Sequence, residues 1–277
     1  MNFIFKWICG FICCFALLLA CERKATKQSA HKKFEVVEIP AMLTSPEERI
    51  KYMVEHYWER FDFSDTSYLS MPDVVEGAFL DFLNLLPHTS IETARKGLET
   101  MMHSAAVDSL MFNDFYRMSE NLLYKPTSPL RNDEYFIEVL QAVILSKDVA
   151  PINKIRPQYQ LDMALKNRID SMASDFVYTT VLGKKSSLFA AKGEYIVLVF
   201  YNPDCPACSD IKEYIKAQGI DRRATVVFVN PDVDTHLQTD ELYDLKAIPT
   251  LYLLDKEKKV LLKDVSIEQI NAYVPFP

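Results

Sequence analysis

Between Phe200 and Asp210 the chain reads FYNPDCPACSD, with Cys205 and Cys208 three residues apart. Two cysteines at that spacing can supply half a zinc site, close a short structural disulfide, or form a redox couple. Structural zinc takes four ligands, and the sequence holds no second CxxC; His236 alone does not complete a site. A disulfide across so short a loop constrains little unfolded-chain entropy and is a poor staple. A redox couple needs one thiolate that attacks and one neighbour that resolves. If a helix starts at the cysteines, its orphan N–H groups and dipole stabilise a thiolate on the first, and the second lies one turn inside. Cys205 is then the attacking sulfur and Cys208 the resolving one.

Other chemistry finds little support. The chain of 277 residues has a net charge of -7 and a pI near 5.4, which argues against a nucleic-acid partner. Six glycines leave little room for phosphate-binding loops, and GxGxxG, GxxxxGKS and HExxH are all absent, so no cofactor is expected. His56, His88 and His103 share no HxxxH or ExxH spacing and read as packing or surface residues, so no metal site is expected.

The elements that position the cysteines follow from patterning. A hydrophobic content of 49% and this length suit two cores. Ser45-Pro46-Glu47-Glu48 has the form of a helix start with a capping box, followed by Ile50, Met53, Val54, Tyr57, Trp58 and Phe61 on one face. Further helices are expected over 72–86, 91–108, 111–124, 133–146 and 158–171, separated by loops at Pro87, Pro126, Pro129, Pro151 and Pro157. Residues 45–171 thus read as an all-α domain. From residue 172 short β-rich runs take over. A hairpin is expected to turn at Gly183-Lys184, and Tyr195–Tyr201 is a continuous apolar run, as in a central strand buried on both faces. A helix from the cysteines to about Ala217, a strand over 225–229, a helix over 237–245, strands over 250–254 and 260–263 and a capped helix at Ser266 complete the pattern. The fold class expected is therefore two-domain α+β, with an all-α domain followed by an α/β domain.

The order strand, Cys-Pro-Ala-Cys, helix, strand, helix, Ile248-Pro249-Thr250 and two antiparallel strands resembles the thioredoxin fold. Ser174–Gly183 and Leu188–Gly193 resemble the N-terminal hairpin of its TlpA/ResA-like branch, and the likeness spans 172–277. The resemblance implies a thiol–disulfide oxidoreductase whose Pro249 is cis, faces the cysteines, offers backbone groups to an extended substrate and keeps metals off the thiols. It also implies protein disulfides or thiols as substrates and an upstream membrane reductant or other redox partner. Where thioredoxins carry a buried Asp and a strand Lys, this chain has Val199 and Phe228; proton transfer needs water or another group. Pro206-Ala207 lacks the histidine of strongly oxidising relatives, and Asp204 and Asp210 flank the pair, which favours a reductant or moderate-potential exchanger. The Thr of peroxiredoxin-like peroxidases corresponds to Asn202.

The N-terminus bears on the cysteine count. Met1–Lys6 is a positive segment, and Trp7–Ala20 is an apolar run too short to cross a bilayer, which takes about 20 residues. Leu18-Leu19-Ala20-Cys21 resembles the lipobox of bacterial lipoproteins. The resemblance implies a signal peptide over 1–20, a lipid-bearing Cys21 at the mature N-terminus and a tether over 21–44 leading away from an inner or outer membrane. Cys9, Cys13 and Cys14 then leave with the signal peptide, and Cys205 and Cys208 are the two thiols left in an oxidising compartment. A lipobox, a helical domain and a TlpA-like domain together resemble lipoproteins common in Bacteroidota. The competing reading is a non-catalytic adaptor, binding a partner through the helical domain with a thioredoxin-like scaffold behind it.

Overall fold

The computed structural model describes residues 32–235, 241–245 and 247–276. The expected signal peptide and Cys21 lie outside the described residues. Among the described residues no helix is long and apolar enough to cross a membrane.

Helix α1 (Pro46–His56) starts where Ser45 Oγ accepts from the Glu48 amide at 3.1 Å, with proline at the first helical position. After a 3-10 turn come α2 (Pro72–Leu85), α3 (Ile91–Ala105) and α4 (Ser109–Ser119), the last running into a π turn over Glu120–Tyr124. Helices α5 (Asp133–Leu145) and α6 (Pro151–Ala164) follow. Trp58 sits at the centre of this part, its ring 5.2 Å from Phe115 and 5.6 Å from both Phe61 and Phe82, edge-on in each case. Such pairs add about 0.5–1.5 kcal/mol each beyond area burial. Gly97 lets α1 and α3 approach closely, since a Cβ there would lie 2.8 Å from Val54 Cγ1.

Three expectations need correction. The helix expected to reach residue 108 ends at Ala105, because Asp108 caps the next helix, accepting from the amides of Leu110 (2.9 Å) and Met111 (3.0 Å). The last helix of the all-α part runs over 151–164 and not 158–171, with Pro157 inside it and buried. A proline six residues after the start forfeits one backbone bond, and burial of its ring offsets part of that loss. Of the helix expected over 237–245, residues 237–240 lie outside the described residues, while 241–245 form a turn and irregular backbone.

The C-terminal part opens with the hairpin β1 (Val177–Thr179) and β2 (Lys185–Ser187). Its main sheet has the order β4-β3-β5-β6, with β3 (Tyr195–Phe200) parallel to β4 (Thr225–Val229) and antiparallel to β5 (Thr250–Asp255), and β6 (Val260–Lys263) antiparallel to β5. Alternate residues of β3 feed two cores. Ile196, Leu198 and Phe200 pack with Phe176, Tyr243 and Tyr252. Val197 and Val199 pack with Ile215 of α7 (Pro206–Ala217) and with Ile267 and Ile270 of α8 (Ile267–Tyr273). A strand supplying both faces is continuous in its apolar character, which is why YIVLVF stands out in the sequence.

Candidate functional site

The end of β3 delivers the chain to Cys205, which is the N-cap of α7; Pro206 takes the first helical position, where a missing N–H costs nothing. Cys205 is partly exposed and Cys208, one turn in, is 2% exposed; both are free thiols. The Cys208 amide donates to Cys205 Sγ at 3.3 Å, the bond an N-cap side chain makes to the first turn. On its other side the Cys205 thiol faces the Ile248 carbonyl at 3.9 Å, and the Ile248–Pro249 peptide is cis. Cys205 and Cys208 thus share one locus with the Ile248–Pro249 peptide, more than 40 residues further along the chain.

The two thiols differ in their surroundings. Burial pushes the Cys208 thiol up to about 11, and its hydrogen bond to Cys205 acts in the same direction. The Asn202 backbone and the Lys212 charge oppose this. At neutral pH Cys208 is therefore a protonated thiol, and Cys205, at the helix start, is the more accessible sulfur of the two.

No carboxylate stands on the strand beneath the pair. Val199 is buried, pairs with Phe228 across the sheet and with Leu251 on the other side, and packs in the apolar cluster under α7. Lys212, one turn beyond Cys208, places its Nζ 3.8 Å from the centroid of the Tyr201 ring and 5.4 Å from that of Phe228. A cation on an aromatic face is held electrostatically by the ring quadrupole. Sequence reasoning missed Lys212, although its i+4 spacing from Cys208 put both on one helical face. Asp204 and Asp210 are exposed, and the Asp204 amide donates to Asn202 Oδ1 at 2.8 Å. Among the described residues no cluster of His, Cys, Asp and Glu could hold a metal ion.

The cysteine locus adjoins the junction with the helical part. Arg131 donates to Asp264 at 2.9 Å, and Lys263 Nζ lies 2.7 Å from Asp133 and bonds the carbonyls of Ala164 and Lys166. Tyr124 donates to Asp244 at 3.4 Å, and Asn167 Nδ2 donates to the Leu242 carbonyl at 2.7 Å. Glu134 is bridged by Arg95 and Arg168; burial alone would raise its carboxyl, but these two guanidinium groups hold it below the ordinary range.

Comparison with known proteins follows this division. Residues 19–167, more than half the chain, match a family model described as a domain of unknown function (DUF5106). The chain belongs to the DUF5106 family. In this DUF5106 protein residues 169–267 also match the AhpC/TSA family. A thioredoxin-like protein from Bacteroides caccae is 34% identical with a TM-score of 0.84, over 88% of this chain and 98% of that one. The C-terminal domain of an uncharacterized protein from Bacteroides fragilis is 31% identical over 39% of this chain and 97% of its own, with a TM-score of 0.35. No curated protein matches the DUF5106 chain. Its architecture is thus a helical DUF5106 domain followed by a thioredoxin-like domain.

Proposed function

We propose that this chain is a thiol–disulfide oxidoreductase of the cell envelope, tethered by lipid on Cys21, that works through Cys205 and Cys208 as a reductant or moderate-potential exchanger. The observation that carries the reading is the asymmetric pair: a partly exposed Cys205 at the α7 N-cap, receiving the Cys208 amide at 3.3 Å, beside a buried Cys208 thiol.

The chemistry balances within the pair and its substrate. The Cys205 thiolate attacks one sulfur of a substrate disulfide; that S–S bond breaks, a Cys205–substrate S–S bond forms, and the other substrate sulfur leaves as a thiolate. Cys208 then loses its proton and attacks Cys205 Sγ, releasing the second substrate sulfur. Two electrons have passed to the substrate, and the two protons lost by the dithiol match those taken up by the product thiols. A membrane-borne thiol reductant would restore the dithiol. The Ile248 carbonyl beside Cys205 supports a reading in which substrate backbone runs along this edge.

A peroxidase reading is less well supported. The residue three before Cys205 is Asn202, and its side chain is engaged elsewhere, accepting from the Asp204 amide and donating to Asp232 at 2.5 Å.

Reduced wild-type chain should reduce 5,5'-dithiobis(2-nitrobenzoic acid) catalytically with a thiol donor, and Cys205→Ala should not; equal activity of the two would remove Cys205 from the mechanism. Cys21→Ala should move the protein from the membrane to the soluble fraction, and mass spectrometry finding an intact Met1 would contradict the anchor.

A further inference from the structure

We propose that the DUF5106 domain supplies one wall of the substrate cleft, and that this cleft takes the polypeptide flanking a substrate cysteine. The inference rests on the exchange reading above. A cavity of about 670 Å³ opens between the two domains. One side is lined by Pro249, Thr250 and Val265 of the thioredoxin-like domain, the other by Pro126, Pro129 and Arg131 from the segment before α5. The volume falls within the roughly 300–1,000 Å³ of ordinary ligand sites.

Its location points to the occupant. The Cys205 Sγ, to which a substrate sulfur would bond, lies 3.9 Å from the Ile248 carbonyl, and the very next residue, Pro249, lines the cleft. A chain leaving that sulfur along the Pro249 backbone therefore enters the space between the domains. The lining mixes proline and aliphatic surface with hydrogen-bonding groups. Its cations are engaged by carboxylates, Arg131 by Asp264 at 2.9 Å and Lys263 by Asp133 at 2.7 Å. A small anionic disulfide such as oxidised glutathione would have to displace those pairs, whereas a neutral peptide backbone would not. The same pairs fix the helical wall to the thioredoxin-like one, so the cleft is organised before substrate arrives.

The test uses two substrates: a short peptide with one central cysteine disulfide-bonded to glutathione, and 5,5'-dithiobis(2-nitrobenzoic acid). Pro129→Trp and Ile169→Trp each add bulk to the cleft lining from side chains that make no hydrogen bond. For the purified, reduced full chain, each variant should raise KM for the peptide about tenfold, with kcat for the peptide and turnover of the small disulfide unchanged. Unchanged peptide KM in both variants, or equal losses on both substrates, would overturn the cleft while leaving the exchange reading intact. Failure of the wild type on both substrates would overturn the exchange reading, and the cleft with it.

Discussion

The molecule surrounds its buried polar groups differently in two places. Beneath the cysteine pair the sheet is apolar: Val199 and Phe228 face each other across β3 and β4, and Lys212 rests on aromatic rings. At the domain junction, three carboxylates (Asp133, Asp244 and Asp264) gather around Arg131 and Lys263. Charged side chains bridge one domain to the other here, whereas the thiols sit at a helix end above an apolar sheet.

Breaking the junction should have the largest effect on stability. Arg131 is 12% exposed and lies within 4.0 Å of all three carboxylates. Arg131→Ala leaves buried negative charge without its counter-ion and should cost about 3–5 kcal/mol in urea unfolding. A loss under about 1 kcal/mol would mean the junction behaves as a surface pair. A pH-dependent effect accompanies it. Burial pushes the Asp264 carboxyl up to about 7, with Asp133 and Asp244 adding to the rise and Arg131 and Lys263 opposing it. The folded state thus binds this proton more tightly than the unfolded chain, whose carboxyl titrates near 3.9. The contribution to stability is complete below about pH 4 and is lost as pH rises through about 7. The stability difference between wild type and Asp264→Asn should slope across that window and flatten above it; a level difference throughout would contradict the assignment.

The smallest effect is expected under the cysteines. Lys212→Met removes a charge that lowers the Cys208 thiol, so Cys208 should titrate higher still and resolve mixed disulfides roughly two- to threefold more slowly at neutral pH. Alkylation of Cys208 at graded pH in a Cys205→Ala background reads this directly. An unmoved titration would leave Lys212 a packing residue on Tyr201.

The contrast also marks what could be read from the chain. The continuous apolar run of β3, the helix start at Cys205 and the hairpin around Gly183 are local signals, written in consecutive residues. Pro157 misled because proline reads as a loop marker, while here packing keeps it within α6. The junction was not legible at all. Arg131 and Asp264 are separated by 133 residues and individually look like solvated charges; only the tertiary fold buries them together. Lys212 lay between these cases, since its spacing was visible but the aromatic shelf under it depends on β4 packing beside α7.

The central claim, that Cys205 attacks and Cys208 resolves, is tested most directly by trapping. With Cys208 changed to Ala, Cys205 keeps its place at the helix start, but an adduct on it has no neighbour to release it. Cells producing Cys208→Ala should accumulate covalent complexes containing the chain that collapse on reduction, and Cys205→Ala should accumulate almost none. Equal trapping by both variants, or complexes joined through Cys208 in the Cys205→Ala protein, would contradict the account.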